Sequence, residues 1–115
     1  MVSKHVARKA MMPARAGSIV NLGSTAGLIG KDRRQYEGTG MGRSTVDYHA
    51  SKGGVIAMTR DLAVYLAPHG IRVNCISPGG FFRGQPDAYV ARYSANVPLG
   101  RMGQGGKELK GAVVY

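Results

Sequence analysis

Acidic residues are few. Six Asp and Glu stand against sixteen Lys and Arg, a formal net charge of +10 over 115 residues. Cysteine occurs once and tryptophan not at all. A single Cys75 excludes an internal disulfide and a cysteine-built metal cluster, so a reducing, cytoplasmic setting is expected. Long apolar runs are missing as well. No stretch nears the ~20 uninterrupted apolar residues of a membrane span. The first ten residues carry Lys4, Arg8 and Lys9, with no apolar run and no small-residue cleavage site behind them, which argues against a secretory signal. Glycine, by contrast, is abundant at 18 residues but aperiodic, which excludes collagen and predicts tight turns.

An apolar fraction of 43% is too high for a disordered tail and sufficient for a core. The positive charge raises nucleic acid as a partner. Its distribution opposes that: residues 1–52 hold nine basic and three acidic groups, residues 53–115 seven and three. The cluster Lys31, Asp32, Arg33, Arg34 is interrupted by an acid, and neither zinc-finger spacing nor an aromatic–basic ribonucleoprotein signature occurs. A chain whose acidic parts lie elsewhere accounts for the balance. No nucleic-acid or membrane partner is expected.

Along the chain, Val2, Val6 and Ala10 recur at helical spacing, and Pro13 is expected to stop that helix near residue 12. Ser18 to Leu22 is a short β-branched run between Gly17 and Gly23, read as a buried strand. Residues 30–46 hold four glycines, six charges and little apolar content, hence a long loop. The strongest helix runs from about Tyr48 to Ala67, with Asp47 as N-cap and Gly70 beyond its end. Val55, Thr59, Leu62, Ala63 and Leu66 form its inward stripe, which stepped backward reaches Lys52 and then Tyr48. Ile71 to Ile76 is a second buried strand, ended by Ser77-Pro78-Gly79-Gly80. A helix over 86–97, with Ala88, Arg92 and Ala95 in phase, a glycine-rich loop over 100–106 and a helix beginning at Lys107 complete the pattern. Alternating helices and strands predict α/β architecture with a parallel sheet. Both ends fall inside helical patterns, and two strands make no stable sheet of that kind, so one incomplete domain is expected.

Tyr48 and Lys52 lie one helical turn apart in Tyr-His-Ala-Ser-Lys. A phenol with an ordinary pKa of about 10 is a poor base at neutral pH, and a neighbouring ammonium favours the phenolate. Such a tyrosine exchanges a proton with an alcohol or carbonyl oxygen. Ser24 follows the first strand at its C-terminal end, where open α/β sheets bind ligands, and its hydroxyl suits a substrate oxygen. Pro78-Gly79-Gly80 lies at the corresponding end of the second strand, where glycine admits close backbone approach.

Four segments together resemble the short-chain dehydrogenase/reductase family: residues 17–27 around Ser24, Tyr-His-Ala-Ser-Lys at 48–52, Gly-Ile-Arg-Val-Asn-Cys-Ile-Ser-Pro-Gly-Gly at 70–80, and Pro-Leu-Gly-Arg-Met-Gly at 98–103. The resemblance covers nearly the whole chain and is general, to the group holding 3-oxoacyl-carrier-protein reductases and gluconate 5-dehydrogenase. It implies part of a Rossmann-type doubly wound parallel sheet with flanking helices. It implies an oxidoreductase that interconverts a ketone and a secondary alcohol with NAD or NADP. Tyr48 would be the proton donor or acceptor, Lys52 would hold the nicotinamide ribose, and Ser24 would polarise the substrate oxygen. Backbone around Pro78, Gly79, Gly80 and Phe81 would line the nicotinamide. It further implies a homodimer or homotetramer, with Ala57, Met58 and Tyr65 at the interface.

The chain departs from the family in two ways. Ser24 and Tyr48 are 24 positions apart, about twice the interval common in the family, and the excess is the loop from Lys31 to Val46. Tyr36 lies 12 positions after Ser24, but Gly40 stands where its lysine would be, so Tyr48 is preferred. The loop, near the expected substrate mouth, is read as a lid or specificity loop. The family's glycine-rich pyrophosphate loop is the other departure. Gly38-Thr-Gly-Met-Gly42 follows charged loop residues rather than a strand and fails that role. The N-terminal cofactor-binding half is expected to be absent from residues 1–115, leaving the catalytic part of the domain, inactive in isolation. A fold that kept its shape and lost its activity is the alternative, with nucleic-acid binding a distant third. The family's catalytic asparagine is missing too, and Asn21 and Asn74 are read as structural. His49 is read as exposed or interfacial, Cys75 as a small buried hydrophobe, and Arg83 and Arg101 as solvated. His5 and His69 lack metal-ligand partners at useful spacing, so no metal site is expected.

Overall fold

The computed structural model describes residues 2–114. Its centre is a parallel pair of strands, β1 (Gly17–Leu22) and β2 (Ile71–Ile76), in register from Gly17 opposite Ile71 to Leu22 opposite Ile76. A parallel pair needs a crossover, and helix α3 (Val46–Leu66) supplies it. Ahead of β1, a helical segment begins with α1 (Val2–Val6), widens to a π-helix over Ala7–Met11 and closes with α2 (Met12–Ala14). Helix α4 (Asp87–Ala95) and a final turn ending in α5 (Lys110–Val114) follow β2. The expected helix over Lys107–Tyr115 appears as a 3₁₀ turn over Gly105–Leu109 and then α5; Tyr115 lies outside the described residues.

Pro13 does not end the first helix. The run continues to Ala14 and stops at Arg15, which adopts a left-handed conformation at φ 48. A regular α-turn would press the proline ring on the carbonyl of the residue four before it. The wider π turn ahead of Pro13 relieves that clash, and Met12 donates its backbone N–H to the Ala7 carbonyl.

The main core is aliphatic. Ala7, Leu66, Ile71 and Val73 are buried together, with Met11, Met12, Ile19, Leu62 and Ala63 packed against them. Both the N-terminal helical segment and α3 therefore lie on one face of the strand pair. Arg72 and Asn74 point to the other face and are exposed. β2 thus alternates in burial over Ile71–Asn74, and β1 is only partly buried, where continuous burial was expected, because only one face of this two-stranded sheet is covered by those helices. Along α3 the most buried residues are Ile56, Thr59 and Leu66, with Val55 only half-buried. Asn21 acts structurally: its amide donates to Thr59 Oγ1 at 2.9 Å, and Thr59 donates to the Val55 carbonyl.

Helix α3 begins two residues earlier than expected. Thr45 is its N-cap, in extended conformation, and Asp47 sits in the first turn. There its carboxylate faces the positive end of the helix dipole, and hydrogen bonding with Thr45 holds it below the usual carboxylate range. Gly70 turns the chain into β2 at φ +70, and a Cβ there would lie 2.4 Å from the Arg15 carbonyl oxygen.

A second cluster is aromatic. Tyr36, Tyr89 and Met102 are buried, with Met41, Val90 and Tyr93 against them. The inward face of α4 is therefore Tyr89, Val90 and Tyr93, while Ala88, Arg92 and Ala95 are exposed. The expected phase fails because the partner of this helix is a loop. Residues 33–36 form a 3₁₀ turn inside the long insertion, capped by Asp32 accepting from Arg34 N, and that turn buries Gln35 and Tyr36. The Tyr36 and Tyr89 rings meet at 5.1 Å, and Lys31 Nζ lies 5.2 Å from the Tyr36 ring. Arg92 donates to the carbonyls of Arg34 and Glu37, pinning the insertion to α4.

Candidate functional site

The C-terminal ends of the two strands are stitched beyond the sheet itself. Gly23 N donates to the Ile76 carbonyl at 2.8 Å, and Thr25 N to the Pro78 carbonyl at 3.1 Å. Ser24 lies between these bonds in extended conformation and caps a short 3₁₀ turn over Thr25–Gly27. Its Oγ accepts from Ala26 N at 3.1 Å, which uses a lone pair and leaves the O–H to donate to a ligand.

Gly27 sets the distance from this turn to α3. A Cβ there would lie 2.6 Å from the Lys52 carbonyl carbon and 2.7 Å from Gly53 N, so only glycine lets the turn pack directly on the helix backbone at Lys52. Lys52 Nζ reaches back and donates to the Leu22 carbonyl at 2.9 Å. The ammonium is thereby fixed on the end of β1, 5.9 Å from the centre of the Tyr48 ring. Tyr48 stands in the first turn of α3, past the sheet, and is 43% exposed. Its side chain does not pack inward, as the stripe through Lys52 implied; it borders a cleft.

That cleft has a volume of about 580 Å³, and Ser24, Gln35, Tyr48, Gly79, Gly80 and Tyr93 are among the residues on its wall. The structure thus brings Ser24 and Tyr48 to one opening, with Lys52 behind the tyrosine. Gly79 and Gly80 present bare backbone to the same opening. Tyr93 Oη accepts from Gly80 N at 2.5 Å, and a Cβ on Gly79 would lie 2.8 Å from that oxygen. Pro78 contributes its carbonyl to the strand-end stitch. Phe81 bridges to Gly103 and does not border the cleft.

Tyr36 is buried at 8% exposure against Tyr89, away from the opening where Tyr48 sits. His49 Nδ1 lies 2.9 Å from the Thr45 carbonyl, and its ring meets the Tyr48 ring edge-on at 6.3 Å. Cys75 is half-buried, its Sγ 3.8 Å from Ser77 Oγ. Arg101 pairs with Glu108 at 2.8 Å, and Arg83 is exposed. A smaller hollow of about 330 Å³ lies between the N-terminal helical segment and α3, lined by Ala7, Ile19 and Leu62 among others, and holds none of Ser24, Tyr48 and Lys52. Gln35 and Tyr93 escaped sequence reasoning. Neither sits in a periodic pattern or a motif, and only the packing of the insertion on α4 brings them to the cleft.

A family model described as enoyl-(acyl carrier protein) reductase matches residues 1–115. A solved short-chain dehydrogenase from Leptospira borgpetersenii serovar Hardjo-bovis, with bound NAD+, is 40% identical, covers 97% of this chain and superposes with a TM-score of 0.87. The chain belongs to the short-chain dehydrogenase/reductase family. Within this family it is also similar to a 3-oxoacyl-[acyl-carrier-protein] reductase of Vibrio harveyi, 35% identical over 99% of this chain. A gluconate 5-dehydrogenase from Burkholderia cenocepacia J2315, solved with NADP and tartrate, is 27% identical over 98% of this chain, with a TM-score of 0.82. The chain spans 41% of the Leptospira protein, 43% of the Vibrio reductase and 42% of the Burkholderia enzyme. The parallel sheet with flanking helices is therefore part of the Rossmann-type fold of this family. No helix among the described residues is long and apolar enough to cross a membrane.

Proposed function

We propose that this chain is the catalytic part of a short-chain dehydrogenase/reductase domain that interconverts a ketone and a secondary alcohol. The observation that carries the reading is the shared opening of Ser24 and Tyr48, with the Lys52 ammonium anchored behind them on the Leu22 carbonyl. The Leptospira and Burkholderia relatives were solved with NAD+ and NADP respectively, which favours a nicotinamide dinucleotide as cofactor. The cleft suits its nicotinamide end: Gly79 and Gly80 offer backbone without side chains, and Lys52 and Tyr48 offer donors for a ribose. The glycine-rich pyrophosphate loop has no counterpart in these 115 residues. These residues alone are therefore expected to bind the cofactor weakly and to be inactive without a nucleotide-binding half. Micromolar affinity of the 115-residue chain for NAD or NADP by isothermal titration would overturn that expectation.

In the reductive direction the Ser24 hydroxyl donates to the ketone oxygen and holds it beside Tyr48. Tyr48 gives its phenolic proton to that oxygen as it gains negative charge, and takes a proton from the alcohol in reverse. Lys52 keeps a positive charge near the phenol while the proton moves. A nicotinamide held beside Gly79, Gly80 and Tyr48 would supply or accept the hydride. Assembly as a homodimer or homotetramer through the outer face of α3, where Tyr65 and Val64 are exposed, belongs to the same reading.

With the nucleotide-binding half present, Tyr48→Phe is expected to lower kcat by roughly 10²- to 10⁴-fold while cofactor affinity is kept. Lys52→Ala is expected to damage both. Steady-state kinetics following nicotinamide absorbance, with cofactor titration in parallel, checks this. Near-normal turnover in Tyr48→Phe together with its loss in Tyr36→Phe would reassign the tyrosine.

A further inference from the structure

Three bonds hold the strip of backbone from Pro78 to Gly80. The Pro78 carbonyl accepts from Thr25 N at 3.1 Å, and the Gly80 carbonyl from Gly103 N at 2.9 Å. Between them Gly80 N donates to Tyr93 Oη at 2.5 Å, and here the partner is a side chain. Tyr93 also takes the space in front of both glycines. A Cβ on Gly80 would lie 3.0 Å from the Tyr93 Cζ and 3.1 Å from its Cε2. A Cβ on Gly79 would lie 2.8 Å from Tyr93 Oη and, chain neighbours apart, would meet no other atom within 4 Å. Neither glycine has a positive φ, so backbone conformation does not demand them. The ring is itself held: it stacks on Tyr89 at 6.1 Å and 29°, and Tyr89 meets Tyr36 of the insertion at 5.1 Å. Gly79, Gly80 and Tyr93 all border the cleft of Ser24 and Tyr48. Glycine loses more conformational freedom on ordering than any other residue, and a wall ordered before its ligand arrives binds it more tightly.

We propose that Tyr93 is a positioning residue: its hydroxyl fixes the Gly79–Gly80 backbone as the wall for the nicotinamide end of the cofactor, and position 79 is glycine to admit that hydroxyl. This rests on the oxidoreductase reading above and deepens it. The insertion then acts on the site from a distance, because Tyr36 backs Tyr89, Tyr89 backs Tyr93, and Tyr93 holds the glycine pair.

The test has two arms, both made with the nucleotide-binding half present. In the first, isothermal titration compares NADH or NADPH, whichever the parent binds, with the matching ADP-ribose, which lacks the nicotinamide. Tyr93→Phe keeps the ring and loses the acceptor. It is expected to weaken the dinucleotide roughly three- to tenfold, the worth of one hydrogen bond, and to leave ADP-ribose unchanged. Tyr93→Leu serves if Tyr93→Phe does not fold. In the second arm, melting temperatures without ligand close a double-mutant cycle with Gly79→Ala. That substitution is expected to lower the melting temperature of the parent and to have no effect in Tyr93→Phe, where the clashing oxygen is gone. Dinucleotide and ADP-ribose weakened alike, or neither weakened, overturns the assignment of Tyr93. So does a Gly79→Ala effect that is absent from the parent or equal in the two backgrounds. Each of these leaves the oxidoreductase reading standing. A parent that binds neither dinucleotide overturns both.

Discussion

The two buried clusters differ in kind. The first, under the strands, is aliphatic: Ala7, Leu66, Ile71 and Val73 meet with no polar atom to satisfy. The second, between the insertion and α4, centres on Tyr36, Tyr89 and Met102, with Tyr93 against them. Its tyrosines bring polar ends that need partners, and those partners shape the cleft: Tyr93 takes the N–H of Gly80, and Tyr36 hydrogen-bonds with Tyr89. The first cluster holds the scaffold that fixes Lys52 on β1. The second holds a long loop and a glycine-rich stretch against one side of the same opening. A scaffold of interchangeable aliphatic contacts tolerates variation in detail, whereas an aromatic and polar cluster specifies one arrangement.

The largest blow to this contrast is Leu66→Ala. Leu66 is 2% exposed at the centre of the aliphatic cluster. The substitution is expected to cost about 2 to 5 kcal/mol and to lower protection of the β1 and β2 amides together. Urea denaturation with hydrogen exchange reads both, and loss confined to α4 would contradict the division. Tyr89→Leu strikes the other cluster. It removes the ring pair with Tyr36 and is expected to cost about 0.5 to 1.5 kcal/mol beyond the lost burial. Faster exchange is expected over residues 33–41 and 87–95, with β1 and β2 unchanged; equal loss in the strands would merge the two clusters into one. The smallest effect is on pH. Burial, helped by the hydrogen bond with Tyr36, holds the Tyr89 hydroxyl above its ordinary value of about 10. The folded chain then keeps a proton that the unfolded chain gives up. This stabilisation is complete below about pH 10 and is lost as pH rises through the raised folded value. Ultraviolet titration of the phenolates checks it, and Tyr89 ionising with the exposed tyrosines would remove the distinction.

The helix from Tyr48 onward was legible because Leu62, Ala63 and Leu66 recur at helical spacing, and β2 because Ile71 and Val73 sit in a short β-branched run closed by Pro78 and Gly79. Family membership was legible because four ordered segments each keep a local pattern. The first helix was misread at Pro13, whose clash is avoided by a π-helical widening that no residue type announces. Helix α4 was misread in phase, since Ala88 and Ala95 suggested a small apolar face while Tyr89 and Tyr93 found a partner over fifty positions earlier in the chain.

By itself the sequence determined the periodic elements, the one-turn spacing of Tyr48 and Lys52, and the glycines where strands and turns meet. These follow from backbone geometry, which repeats every few residues and needs no distant partner. Only the tertiary structure decided that Ser24 and Tyr48 share an opening, that the insertion folds a turn onto α4, and that Gln35 and Tyr93 come to the wall of that opening. Those facts depend on contacts between segments far apart in the chain, and a contact of that kind leaves no mark in the local order of residues.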